Sequence, residues 1–85
     1  MRLQIINSIK NIIFDENINY LKIEGQNNFE IFEEHAPLIA SLGNISTLQY
    51  KRQSTNDSET LQIKNGFLEI QKKNKMTTIK IIEDF

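Results

Sequence analysis

His35 has the side chain best suited to catalysis or metal binding in this 85-residue chain, and it is the single histidine, preceded by Glu33 and Glu34. A catalytic histidine needs a nucleophile and an orienting group beside it, and a zinc site needs three or four ligands. The chain has no cysteine and no serine in a nucleophile-elbow sequence. We therefore predict no catalytic residue, no metal site and no cofactor. His35 is interpreted as a polar contact in a protein interface, with a surface turn residue as the alternative.

The glycines do not form a phosphate-binding loop. Gly25, Gly43 and Gly66 are dispersed along the chain, whereas phosphate-cradling motifs place several glycines within a few residues. The lysines at 72, 73 and 75 surround Asn74 and predict a solvated hairpin turn. Neither feature indicates nucleotide binding.

The charge balance disfavours nucleic acid and anionic membrane as partners. The formal net charge is −1, and both classes of partner select for a basic excess. A small OB-like barrel remains an alternative, with Tyr20 and Tyr50 as candidate stacking residues. The phenylalanines within apolar runs are predicted to belong to the core, and they are Phe14, Phe29, Phe32 and Phe67.

No stretch approaches the roughly 20 apolar residues that cross a bilayer. We therefore expect a soluble, cytoplasmic chain without direct membrane insertion, which reaches a membrane only through another protein.

The elements that position these residues are predicted to be strands. Apolar residues form short runs between polar turns, isoleucine dominates them, and alanine occurs only at positions 36 and 40. β-branched side chains favour strands, so the pattern predicts one all-β domain over residues 1–85. Predicted apolar runs include 3–6, 12–14, 21–23, 29–32, 48–50, 61–64, 67–70 and 77–81.

Several turns have specific predictions. Asp15-Glu16-Asn17 is predicted to end the second strand, and Gln53 to Ser58 to form a polar loop tip. Asn65-Gly66 lies between alternating runs and predicts a type I′ hairpin. Pro37 excludes a regular central strand around it, and the apolar residues from 38 to 42 fit either a helical turn or a short strand.

Two segments carry a family resemblance. His35-Ala36-Pro37-Leu38-Ile39 and Asn65-Gly66-Phe67-Leu68-Glu69-Ile70 resemble motifs of the epsilon subunit of F-type ATP synthases. Met76-Thr77-Thr78-Ile79 is similar to the strand that follows in that family. The order and spacing of the motifs extend the resemblance from about residue 2 to about residue 82.

The resemblance implies a flattened antiparallel β-sandwich of about eight to ten short strands. It also implies a non-catalytic rotor subunit that couples proton flow to ATP synthesis on the cytoplasmic face of a bacterial inner membrane. Its partners would be the gamma subunit and the ring of c subunits. The residues carried over as c-ring contacts are Gln26, Asn27, Asn28, Phe29 and Glu30, and those carried over as gamma contacts are His35, Ala36, Pro37 and Leu38.

Within these sets, Asn28 occupies the position at which relatives have an acidic residue that contacts the c ring. Leu38 fits an interface role and a core role equally well. Typical relatives continue into a C-terminal helical hairpin. Since the last predicted strand ends near Phe85, we expect the short form without that hairpin, with a shortened piece as the alternative. A β-sandwich interaction module unrelated to a rotor is the remaining alternative.

Overall fold

The computed structural model describes residues 1–7, 9, 11–33 and 36–84, and its regular elements are strands throughout. This confirms the prediction of an all-β fold, and the strand count equals the lower limit of the predicted eight to ten. The eight strands are β1 (Arg2–Asn7), β2 (Ile12–Glu24), β3 (Phe29–Ile31), β4 (Leu38–Ser41), β5 (Ile45–Arg52), β6 (Ser58–Lys64), β7 (Gly66–Lys73) and β8 (Met76–Glu83).

The strands form two sheets that share β2. Sheet A runs in the order β4-β7-β8-β1 and ends on the first half of β2, whereas sheet B joins β3, the second half of β2, β5 and β6. The pairings are antiparallel except that of β1 with β8, which is parallel. Alternation of apolar residues gives no strand direction, so the sequence did not indicate this parallel pair.

β2 continues through the segment where it was predicted to end. Arg2 donates hydrogen bonds to both carboxylate oxygens of Asp15 (2.7 and 2.6 Å), and Arg52 forms an ion pair with Glu16. The Arg2 hydrogen bond lowers the pKa of Asp15. Partners on β1 and β5 thus allow these acids to lie within a strand, and the predicted stop at 15–17 is wrong.

A bulge lets β2 serve both sheets. The register with β5 shifts between Ile18 and Tyr20. Because side chains alternate along a strand, one extra residue changes which face is buried. Ile18, Leu21 and Ile23 are consequently all fully buried, although the spacing between the first two is odd.

The core lies between the two sheets, which pack about 10 Å apart in sandwiches of this kind. Phe14 and Phe29 pack against it, but Phe32 (55% exposed) and Phe67 (45% exposed) do not belong to it, so their core prediction is wrong. Phe67 points out of β7, opposite the buried Leu68. The buried apolar residues are Leu3, Ile5, Ile18, Leu21, Ile23, Ile31, Leu42, Leu48, Tyr50, Ile63, Leu68, Ile70, Ile79 and Ile81.

Asn65-Gly66 forms a corner between the sheets rather than a hairpin. β6 pairs with β5, whereas β7 pairs with β4 and β8. Asn65 has the positive φ (50°) expected of its turn, and its N–H donates to the carbonyl of Asn44 at 2.8 Å. The Gly66 carbonyl accepts from the N–H of Leu42 at 2.9 Å. Asn65 thus has the predicted positive φ, but Gly66 does not and belongs to β7, so the predicted type I′ turn is wrong. The predicted strand pairing is also wrong, because sequence pattern alone cannot assign the partner of a strand.

The hairpin predicted around Asn74 is confirmed. Asn74 (φ 50°) and Lys75 (φ 65°) connect β7 to β8, whose flanking residues Lys73 and Met76 pair directly. Successive positive φ values are the geometry of a type I′ turn. The three lysines at this tip are exposed, as expected for a solvated turn.

The segment after Pro37 is a strand, which decides between the two alternatives left open by the sequence. β4 begins at Leu38, immediately after the proline, and pairs with β7. It ends before Gly43, whose φ of +78° is a conformation that favours glycine.

Candidate partner-binding surfaces

The turn between β2 and β3, predicted to contact the c ring, is held by local hydrogen bonding. The N–H of Gly25 donates to Oδ1 of Asn28 at 3.2 Å, so this side chain caps its own turn. Gln26 lies against Gly43, where a Cβ atom would come within 2.7 Å of its Oε1. Gln26, Asn27 and Asn28 are exposed. The turn therefore presents neutral amide side chains to solvent from a fixed backbone.

Phe29 and Glu30, the remaining two predicted c-ring contacts, have different roles. Phe29 is half-buried against the core and anchors the turn, whereas Glu30 is exposed and accepts a hydrogen bond from the hydroxyl of Tyr20 at 3.3 Å. Burial, with the nearby Glu30 carboxylate, raises the pKa of Tyr20. The ring of Phe32 lies 5.2 Å from that of Tyr20. Glu30 is thus the charged group among residues 26–30.

The loop between β3 and β4, predicted to contact gamma, is anchored by Glu33. The Glu33 carboxylate lies 2.8 Å from the α-amino group of Met1 and accepts a hydrogen bond from the N–H of Thr77 at 3.3 Å. The amine is the main reason that the pKa of Glu33 lies below its usual value. This contact joins the loop to sheet A.

The residues predicted to meet gamma are differently exposed. Ala36 and Pro37 are exposed, and Leu38 is half-buried against the core. Its partial exposure is compatible with both of its predicted roles. His35 lies outside the described residues, so its predicted interface role stays a prediction.

The turn that begins the predicted ring segment and the predicted gamma contact Leu38 lie near different ends of β4. A Cβ added at Gly25 would lie 3.2 Å from the carbonyl oxygen of Leu42, beyond the end of β4, whereas Leu38 pairs with Ile70 at the beginning of β4. The four residues of β4 therefore separate the Gly25 turn from Leu38 by about 10 Å at about 3.3 Å per residue, whereas Phe29 and Glu30 lie within β3. Phe29 of the first set and Leu38 of the second both pack against the same core.

Sheet A exposes a row of apolar side chains across four strands. Phe67 pairs with Ile82, Ile82 with Ile6, and Ile6 with Ile12. Ile12 is 59% and Ile82 40% exposed, and Ile6 is half-buried. We call Ile6, Ile12, Phe67 and Ile82 the apolar row.

Sequence reasoning missed this surface, although a signal was present. Ile5-Ile6, Ile12-Ile13 and Ile81-Ile82 are adjacent isoleucine pairs within strands. Neighbouring side chains in a strand point to opposite faces. One residue of each adjacent pair must therefore point away from the core of a sandwich. Three such pairs therefore predict an apolar outer surface.

The outer face of sheet B is polar by comparison. Lys22 pairs with Glu30 on one side and Gln49 on the other, and Gln49 pairs with Thr60. Tyr50, a candidate stacking residue, is 5% exposed and packs on Phe14 with ring centroids 4.9 Å apart. The sequence-based nucleic-acid alternative therefore loses one of its two aromatic candidates.

Within the described residues, no cluster of three or more His, Cys, Asp or Glu side chains could hold a metal ion. Across that same part of the chain, the structure contains no helix long and apolar enough to span a membrane.

The fold and these surfaces define a small all-β sandwich domain with exposed turns and an apolar row on the outer face of sheet A. The chain belongs to the family of the β-sandwich domain of the ATP synthase delta/epsilon chain, which matches residues 1–80. This confirms the resemblance seen in the sequence. Membership of this family makes the chain a subunit of ATP synthase. The family is a class of non-catalytic subunit in a membrane-associated enzyme complex. No curated protein matches the chain in sequence.

Proposed function

We propose that this chain is the epsilon-type rotor subunit that links the gamma subunit to the c ring and couples proton flow to ATP synthesis. It works at the cytoplasmic face of a bacterial inner membrane and performs no chemistry itself. The family match over residues 1–80 carries this proposal. The separation of the two predicted contact segments on one core supports it, because a linker between two neighbours needs two surfaces.

The core supports the mechanical role. Its side chains come from both sheets and are almost completely buried. Close-packed protein interiors have low compressibility and transmit strain. A load applied at residues 26–30 would therefore be passed through the core to the loop between β3 and β4 rather than absorbed between them.

The direct test is binding by the purified wild-type chain. The chain is immobilised and offered, separately and together, the gamma-containing catalytic assembly and the solubilised c ring of the same organism. We expect each to be retained, and the ring to be retained through the chain when the catalytic assembly is already bound. A folded chain that retains neither partner contradicts the proposal.

Glu30→Gln is expected to weaken c-ring binding about three- to tenfold and to flatten its dependence on salt. Glu30 is the carboxylate of the predicted ring contact, and charged interface residues control both affinity and its ionic-strength dependence. Titration of the ring at two salt concentrations measures the effect.

The matched control is Glu69→Gln, which removes a carboxylate from the outer face of sheet A. We expect this variant to bind the ring like wild type. Equal losses in both variants would mean that overall charge, rather than the Glu30 contact, controls binding.

A further inference from the structure

The α-amino group of Met1 makes two contacts at the beginning of β1. It donates a hydrogen bond to the carbonyl of Ile18 at 3.2 Å, and the N–H of Ile18 donates to the carbonyl of Met1 at 2.8 Å. The same nitrogen lies 2.8 Å from a carboxylate oxygen of Glu33. The Met1 side chain packs against the core. The amine is therefore held between β2 and the loop that joins β3 to β4.

The Glu33 carboxylate joins this amine to β8. Its other oxygen accepts a hydrogen bond from the N–H of Thr77 at 3.3 Å. Thr77 precedes Thr78, which pairs with Arg2, so Thr77 lies beside Met1 where the parallel ladder of β1 and β8 begins. Glu33 thus covers the beginning of that ladder and connects its loop to both strands.

A free amine can make both contacts of the Met1 nitrogen, whereas an acylated nitrogen can make one of them. A protonated amine has three N–H donors and a positive charge, but an amide nitrogen has one N–H and no charge. The reciprocal bonds between Met1 and Ile18 are those of an ordinary antiparallel pair. An amide at this position would therefore keep its bond to Ile18 and lose the contact with Glu33.

We propose that the charged α-amino group of Met1 positions the loop between β3 and β4 through its ion pair with Glu33. An acyl group on this nitrogen, or a peptide bond to a further residue, releases the loop from β1. Glu33 is 50% exposed, so the ion pair adds modestly to stability, and its main effect is on the loop. The inference goes beyond the proposed function and does not depend on it, because it concerns how the chain holds its own loop.

A chain with Gly-Ser added before Met1 tests this inference, because the added peptide bond acylates the nitrogen. Wild type is released from a cleavable fusion so that Met1 has a free amine. The order parameter of the Glu33 backbone N–H, measured by NMR relaxation, should be about 0.85 in wild type and below about 0.6 in the extended chain. The midpoint of thermal unfolding should fall by about 2–5 °C.

Glu33→Gln removes the charge of the other partner but keeps an oxygen that can accept from Thr77. It should lower the order parameter and the melting midpoint as the extension does. The two changes together should have little more effect than either alone, since they break the same ion pair. The matched control is Glu24→Gln, because Glu24 is 59% exposed and pairs with Lys22 at 3.0 Å. Its effect on the midpoint should be the same with and without the extension.

The inference is overturned if the extended chain keeps a rigid backbone at Glu33, or if the effects of the extension and of Glu33→Gln add in full. Full addition would mean that the added residues disturb β1 directly rather than through Glu33. If the extended chain does not fold, Glu33→Gln decides alone, and an order parameter equal to that of wild type would overturn the inference.

Discussion

Leu48→Ala is expected to lower the free energy of unfolding by about 2–5 kcal/mol. Leu48 is fully buried on β5 between the sheets, and removal of a buried leucine costs its transfer free energy and the energy of the cavity that remains. A domain of this size has a total stability of about 4–13 kcal/mol, so the loss is a large fraction of it. Urea denaturation followed by circular dichroism measures the change.

Ile45→Ala on the same strand is the control. Ile45 is 55% exposed, so its replacement should change stability by no more than about 0.5 kcal/mol. Comparable losses for the two variants would contradict the placement of the core between the sheets.

Gly66→Val is expected to cost about 1–3 kcal/mol by overpacking the corner between the sheets. A Cβ atom at this position would lie 2.7 Å from Cγ2 of Ile63 and 3.1 Å from Cδ1 of Leu42. Ile63 is buried and β-branched, so it cannot rotate away easily. The midpoint of thermal unfolding should fall by several degrees.

Asn65→Gly is the control that separates steric overpacking at the corner from a change in backbone conformation. Asn65 already has a positive φ, which glycine adopts freely, so this variant should melt close to wild type. If Gly66→Val is tolerated, the corner is looser than the structure shows.

The sequence predicted which segments form strands and turns better than it predicted which strands pair with each other. Alternation around Leu48 and Ile63 identified strands, the positive-φ tolerance of Asn65 identified one turn, and the lysines around Asn74 identified another. Of these two turns, the one at Asn74 joins strands that pair with each other and the one at Asn65 does not, because strand pairing depends on packing between distant segments. The continuity of β2 likewise depends on Arg2 and Arg52, which no local pattern connects to the acids that they bind.

The candidate surfaces were predicted in part. The resemblance gave the contact segments, and the structure adds that Asn28 caps its own turn and that Phe29 is an anchor. The isoleucine pairs indicate that some apolar side chains face outward, but they do not show which of them adjoin, since Phe67 and Ile82 become neighbours only through the pairing of β7 with β8.

The most direct test of the rotor role uses membranes whose ATP synthase lacks this subunit. Adding the purified wild-type chain should restore ATP synthesis driven by a proton gradient, and the Glu30→Gln variant should restore less at the same subsaturating concentration. Synthesis that is equally fast without the chain, or that a folded wild-type chain fails to restore, would contradict the coupling role.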